Sequence, residues 1–285
     1  MTIKDMRQKL TERLTPAVGD SEAKAMADTI IMDIKGCTQL DLAVNSHRDL
    51  LPETEKRMLD AAQKVIDGMP LQYALGVASF HGRMIGVDAS TLIPRPETSQ
   101  LVDIIEKDWQ GHSDLRILDI GTGSGCIAIS LALDLPFSQV TGIDISDRAL
   151  TRAQANAKQL KARVEFLKAD ALHIEQSAVK DKRWNIVVSN PPYVLMSQKA
   201  SMDTRVTEHE PPTALFVPDS DPVKFYKPIA DYAYRTLEPQ GMLYLECNPL
   251  CIKQVVDTVK QAGFSDPRSL LDYKGKLRFV IAKKD

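Results

Sequence analysis

Arg116-Ile117-Leu118-Asp119-Ile120-Gly121-Thr122-Gly123-Ser124-Gly125 (RILDIGTGSG) is the stretch on which the reading of this chain turns. Its first five residues are mostly apolar and predict a buried strand. Three glycines at alternate positions then permit a tight turn whose backbone N–H groups can come close to a ligand. The apolar run over residues 126–133 follows at once and reads as a helix. Working outward, the alternation continues. Strands are expected at 140–143, 164–167 and 186–188, with a helix over 148–160. Beyond them come a helix over 225–237, a strand over 242–246, a helix over 250–262 and a last strand near 279–281. Short apolar runs alternating with helices predict a mostly parallel sheet covered on both faces.

Upstream the pattern is helical. Residues 3–14 are amphipathic, and Asp20-Ser21 offers a cap for the apolar set Ala23, Ala27, Ile30, Ile31 and Ile34, which Gly36 stops. Pro52 suits a first helical turn, and Met58, Leu59, Ala62, Val65 and Ile66 follow at helical spacing before Gly68 and Pro70. Residues 1–75 therefore read as a helical docking domain with no nucleophile or ligand cluster. Residues 76–90 read as a β-hairpin linker, with 80–84 and 85–87 as its strands. Residues 91–285 form the catalytic domain.

Composition excludes several classes. No apolar run nears the roughly 20 residues that span a bilayer, and the N-terminal MTIKDMRQKL is polar, so a cytoplasmic protein is expected. The net charge of -2 offers no basic surplus for nucleic acid. Cys37, Cys126, Cys247 and Cys251 are too few and scattered for a disulfide framework. His47, His81, His112, His173 and His209 do not cluster along the chain, so no metal site is expected.

The glycine turn is G-x-G-x-G, one residue short of the dinucleotide fingerprint. Asp144 ends the next strand about 20 residues on, where a carboxylate can accept both hydroxyls of a ribose. Asp170, with Ala171, follows the third strand, near the expected place of an adenine edge. A phosphate-free nucleoside with a sulfonium cation suits Asp119 beside the glycines better than a pyrophosphate does. S-adenosylmethionine is thus the expected cofactor, with S-adenosylhomocysteine as product. Gly121, Thr122, Gly123, Ser124, Gly125, Asp144, Asp170, Ala171 and Asn190 are its candidate contacts.

A second motif lies where a buried strand runs into Asn190-Pro191-Pro192-Tyr193. Two prolines stiffen that loop and remove two donors while keeping their carbonyl acceptors. With the Asn190 side chain they form an acceptor-only ledge, and Tyr193 offers a flat face. Such a ledge answers the problem of alkylating an amide or aryl amine, whose lone pair is delocalised. Holding its N–H bonds aims the lone pair at the methyl group, and transfer becomes a matter of proximity and alignment. Asn190, Pro191, Pro192 and Tyr193 are the candidate catalytic and substrate-binding residues.

PLQYALG (70–76), LIPRPET (92–98), DIGTGSG (119–125), DIS (144–146), NPPY (190–193) and Glu210-Pro211 with Ala214-Leu215 occur in this order. Together they resemble the bacterial protein-(glutamine-N5) methyltransferases that modify class I peptide chain release factors, over about residues 70–246. NPPY alone is shared with adenine methyltransferases; its combination with LIPRPET is specific. The resemblance implies a class I S-adenosylmethionine-dependent methyltransferase fold (Rossmann-like, with a mostly parallel seven-stranded sheet) behind a small helical domain. It implies as substrate the glutamine of the Gly-Gly-Gln motif, a class I release factor as protein partner, no direct nucleic-acid partner, and a monomer. Arg95 and Glu97 are read as buttresses, since Pro94 and Pro96 suggest a rigid wall. The chain departs from the family pattern at Ser99-Gln100, at Cys247-Asn248-Pro249 after Glu246, at Lys276-Leu277-Arg278, and at Ala171, where an aromatic residue is frequent.

Three other readings use parts of the same motifs. An enzyme methylating the exocyclic amine of adenine would use the same loop on a flipped base. It ordinarily carries a basic recognition region, whereas the N-terminal helices here balance Lys and Arg with Asp and Glu. An inactive cofactor-binding module has no need of an intact NPPY run. A dehydrogenase using NAD would need a pyrophosphate site at the helix start.

Overall fold

The computed structural model describes residues 1–285. Its chain forms two compact units, Met1–Val77 with Asp203–His209, and Ala78–Met202 with Glu210–Asp285.

The first unit contains α1 (Ile3–Val18), α2 (Asp20–Lys35), α3 (Gln39–Val44), α4 (Pro52–Ile66) and α5 (Leu71–Leu75). Their apolar faces close on one core, in which Met6, Leu10, Leu14, Ala27, Ile30, Ile31, Met58 and Ala62 are fully buried. Capping boxes start α1 at Thr2 with Asp5 and α3 at Thr38 with Asp41. The cap expected at Asp20-Ser21 lies differently. Gly19 is the N-cap and makes no side-chain bond, while Asp20 and Glu22 sit in the first turn and favour its positive end. A short helix at Thr204–His209, which sequence periodicity did not reveal, completes this unit. Arg205 there pairs with Glu22 at 2.8 Å and Asp203 at 2.7 Å.

β1 (Val77–Phe80) and β2 (Arg83–Gly86) form the hairpin, which from Ala78 onward belongs to the second unit. Its turn is His81-Gly82, both at positive φ (48° and 72°), so the strand break lies earlier than expected. Helix α6 (Pro96–Asp108) was also unforeseen: Pro96 occupies its first turn, and Leu101, Val102 and Ile105 bury its inner face.

Then follow β3 (Arg116–Ile120), α7 (Cys126–Asp134), β4 (Gln139–Asp144), α8 (Asp147–Leu160), β5 (Val164–Lys168) and β6 (Trp184–Ser189). After a two-residue bridge between β7 (Val194–Leu195) and β8 (Phe216–Val217) come α11 (Tyr226–Thr236), β9 (Leu237–Glu246), α12 (Ile252–Gln261), β10 (Arg268–Leu271) and β11 (Leu277–Lys283); α9 is Thr204–His209 and α10 is Pro212–Leu215. The main sheet has seven strands in the order β10-β11-β9-β6-β3-β4-β5. β9, β6, β3, β4 and β5 are mutually parallel; β11 pairs antiparallel with both β9 and the edge strand β10, so β11 alone runs against the rest. β9 begins earlier than expected because its register against β6 slips between Trp184 and Ile186, where Gln240 (φ 66°) and Gly241 make a bulge.

Two features of this unit position the site. β3 and β6 are neighbours, with Ile120 opposite Ser189. The glycine turn and the NPPY loop therefore leave adjacent strands at the same carboxyl edge, beside the point where strand order reverses. Asn156 on α8 is buried and accepts from Gly86 N (2.9 Å) while donating to the carbonyls of Gly86 (2.9 Å) and Ser124 (2.8 Å). That one amide fastens the hairpin to the glycine turn.

Candidate active site

At the end of β3 the chain turns through Gly121, Gly123 and Gly125, at φ 74°, 56° and 82°. Positive φ at three positions in five is why glycine is needed there. The N–H groups of Gly121 and Thr122 both donate to Ile143 O at 2.9 Å, binding the turn to β4. A Cβ at Gly121 would meet nothing within 4 Å, whereas one at Gly125 would lie 3.0 Å from Ile129 and 3.1 Å from Ala153. The first glycine faces open space and the last faces packed protein.

Asp119 is fully buried. Its Oδ2 accepts from Thr122 Oγ1 at 2.6 Å and from Ala128 N at 3.2 Å, while Oδ1 has no partner in the protein. Burial pushes this carboxyl up to about 7, against the pull of those two hydrogen bonds. Thr122 and Ser124 are themselves buried. The Thr122 hydroxyl serves Asp119 and the Ser124 carbonyl serves Asn156, so both residues build the turn from within.

Asp144 ends β4. Its Oδ2 accepts from Gly123 N and its Oδ1 from Ser146 N, each at 2.9 Å, which fixes the carboxylate plane and leaves lone pairs for hydroxyl donors. Burial raises its pKa. Asp170 lies past β5, where Oδ1 accepts from Leu172 N at 2.8 Å, and Ala171 packs on the edge of the main core. A buried acid with a free oxygen, open space over Gly121 and a fixed acceptor at Asp144 fit a nucleoside with a cationic amino-acid tail.

β6 ends at Ser189, whose hydroxyl donates to Ile120 O at 2.7 Å and ties the two strand ends together. Asn190 Nδ2 donates to Thr98 Oγ1 at 3.0 Å, and Thr98 Oγ1 donates to Glu246 Oε2 at 2.7 Å. The other carboxylate oxygen, Oε1, accepts from Tyr193 OH at 2.9 Å. Asn190 Oδ1 and the carbonyls of Pro191 and Pro192 receive no hydrogen bond from the protein. The ledge is thus a set of unpaired acceptors on a stiff loop. Burial, with Glu246 alongside, drives the Tyr193 phenol far above its ordinary value, so it remains a neutral donor.

The outer wall is tied by charge. Arg95 pairs with the buried Glu210, whose second oxygen accepts from Ile93 N at 3.0 Å. Glu97 accepts from Lys274 Nζ at 2.6 Å and Tyr273 OH at 3.3 Å, linking α6 to the β10–β11 turn. Thr98 and Glu246 were not among the residues expected in the site. The one local signal for Glu246 is an acid closing the apolar run Met242-Leu243-Tyr244-Leu245, at a depth where charges are rare. Cys247 and Cys251 are buried free thiols, raised by burial.

A family described as Methyltransferase domain matches residues 111–262, and one described as PrmC N-terminal domain matches residues 5–76. A release factor glutamine methyltransferase of Bacteroides thetaiotaomicron is 37% identical over 279 residues, covering 98% of each chain. That of Flavobacterium psychrophilum is 36% identical over 287, again covering 98% of each. The chain belongs to the release factor glutamine methyltransferase family. Among solved structures, a Pyrococcus furiosus methyltransferase (TM-score 0.53, 16% identity) covers 82% of this chain and 99% of its own. The Thermus thermophilus 16S rRNA N2 G1207 methyltransferase, in complex with AdoMet and guanosine, has the same TM-score and identity over 73% and 50%. At that identity the likeness shows the fold alone.

Two departures from the family's sequence pattern have structural explanations. Asn248 Nδ2 donates to Tyr193 O at 3.0 Å and to Gln198 Oε1 at 2.7 Å, anchoring the far end of the NPPY loop. Gln100 bonds across to Leu271 O and Tyr273 N, steadying the β10–β11 turn.

Proposed function

We propose that this member of the family transfers a methyl group from S-adenosylmethionine to N5 of the glutamine in the Gly-Gly-Gln motif of class I release factors. The observation that carries this reading is the row of unpaired acceptors at Asn190 and Pro191, one strand away from the glycine turn. When bound, S-adenosylmethionine supplies an electrophilic methyl group; Gly121, Gly123, Asp144 and the segment at Asp170-Ala171 would hold its nucleoside and tail.

The protein's own part is positional. A primary amide carries two N–H donors, and Asn190 Oδ1 with the Pro191 carbonyl offers two acceptors to match them. Fixing both N–H bonds fixes the amide plane and aims the nitrogen lone pair along the transfer direction. No base is needed beforehand, because the proton leaves after the nitrogen has become cationic. Tyr193 and Pro192 wall the slot.

The helical unit is proposed to grip the protein substrate. Leu40 and Val44, one turn apart on α3, are 73% and 62% exposed, an apolar pair that suits a protein surface. A protein substrate of translation places the enzyme in the cytoplasm under this reading.

Mass spectrometry of a release factor after incubation with enzyme and cofactor tests the proposal. A single added methyl on the glutamine of Gly-Gly-Gln is the expected result. Label entering adenine-containing DNA instead, with the release factor unmodified, would assign the ledge to a flipped base.

A further inference from the structure

We infer that Glu246 is a positioning residue that sets the direction of hydrogen bonding through the substrate slot, so that Asn190 can present only its oxygen. The inference deepens the proposed function and rests on it for its catalytic part. The chain of donors runs one way. A carboxylate can only accept, so the Thr98 hydroxyl must give its proton to Glu246 Oε2 at 2.7 Å. The same hydroxyl then has only lone pairs to offer Asn190, whose Nδ2 donates to it at 3.0 Å. With Nδ2 held inward, Oδ1 faces the slot as an acceptor. At the other oxygen, Oε1 accepts from Tyr193 OH at 2.9 Å, which fixes the opposite end of the same four-residue loop. One group therefore orients both ends of Asn190-Pro191-Pro192-Tyr193.

The setting makes this polarity strict. Glu246 is fully buried and Thr98 is 2% exposed, so bulk solvent does not compete for the hydroxyl. The groups that face it are Glu97 and Thr98 on α6, Tyr193 on the loop, Arg278 on β11, and Cys126, Cys247 and Tyr226. Arg278 is the cation among them, lying 5.9 Å from the Tyr193 ring and bonded to Asp272, and it favours the ionised carboxylate. Burial raises the Glu246 pKa against the pull of Thr98, Tyr193 and Arg278. A protonated Glu246 can give its proton to Thr98, which then donates to Asn190 Oδ1 and turns the amide over, facing its NH2 at the substrate's own NH2.

E246Q keeps size and shape but restores that ambiguity, because a glutamine amide can donate to Thr98. In full-length enzyme it should lower kcat at least tenfold, with S-adenosylmethionine Kd and the release factor KM changed less than threefold. Wild-type kcat should fall as pH drops through the Glu246 titration, and this acid limb should be missing from E246Q. T98V should lose activity to the same degree, and T98S, which keeps the hydroxyl, should stay within threefold of wild type. The polarity is also readable without any substrate: side-chain amide NMR should show the Asn190 NH2 protons next to Thr98 in wild type, and that contact should weaken in E246Q as the second amide orientation becomes populated. Unchanged kcat in E246Q, T98S as damaged as T98V, or an NMR contact undiminished in E246Q would each overturn the inference. A wild-type enzyme that fails to modify release factor glutamine would remove the proposed function instead, leaving the NMR comparison to decide the role of Glu246.

Discussion

At the scale of single residues, Asn190 and Asp119 carry opposite kinds of risk. Under the proposed function, Asn190→Ala removes one of the two acceptors offered to the substrate amide and leaves the glycine turn intact. Its kcat should fall by about 100-fold or more, an amount of the order lost when one preorganised hydrogen-bonding group is removed from an active site, while isothermal titration shows S-adenosylmethionine affinity within a few-fold of wild type. Asp119 concerns stability. Its folded carboxyl titrates at about 7 against 3.8 when unperturbed, so the folded state holds a proton that the unfolded chain has already released. Stability from this group must then fall as pH rises through the window between those values, by on the order of 4 kcal/mol at the limit. D119N does not titrate, so its melting temperature should gain on that of wild type between pH 5 and pH 8; parallel curves would refute the argument. Of these residues, the glycines, Asp144 and the NPPY run were legible as candidates because each motif is contiguous and its chemistry local. Thr98 and Glu246 were not. They lie 148 positions apart, and only the closing of α6 against β9 makes them neighbours.

Among elements, the turn between β3 and α7 separates space for a ligand from space for packing. G121A meets no atom within 4 Å but must hold φ 74°, whereas a Cβ at Gly142 would lie 2.8 Å from Thr122 Oγ1 and 2.9 Å from Phe166. Both substitutions should destabilise, G121A by about 1 kcal/mol through its backbone and G142A by about 1–3 kcal/mol through overpacking. Only G121A should weaken cofactor binding by more than its loss of stability accounts for, since its methyl occupies the open face. Calorimetric titration beside denaturant melts checks the split, and equal affinity losses would sink it. The sheet's parallel strands were legible as apolar runs for the same reason they are stable: both faces are covered. Helix α6 was hidden because Pro94 and Pro96 read as a wall, although Leu101, Val102 and Ile105 follow helical spacing. β10 was hidden because an edge strand with exposed residues carries no alternation to read.

At the scale of the whole molecule, the helical unit's task should separate from the chemistry. Replacing Leu40 and Val44 together by Ala leaves the unit's core untouched, because both side chains are exposed. The double variant should raise the release factor KM several-fold while leaving kcat and cofactor affinity near wild type; unchanged KM would show that this face does not meet the substrate. The change of periodicity near residue 75 is the one cue the sequence offers for two units; the membership of Asp203–His209 had none, since six helical residues carry too little pattern to announce where they pack. That membership has a consequence for birth on the ribosome. The first 77 residues emerge early, yet the last piece of their unit is encoded far downstream, so the unit stays incomplete until residue 209 has been made and has left the exit tunnel. At about 5–20 residues per second that wait is on the order of ten seconds. For the same reason, a single protease nick near residue 77 leaves the severed N-terminal piece still clasping a segment of the remainder.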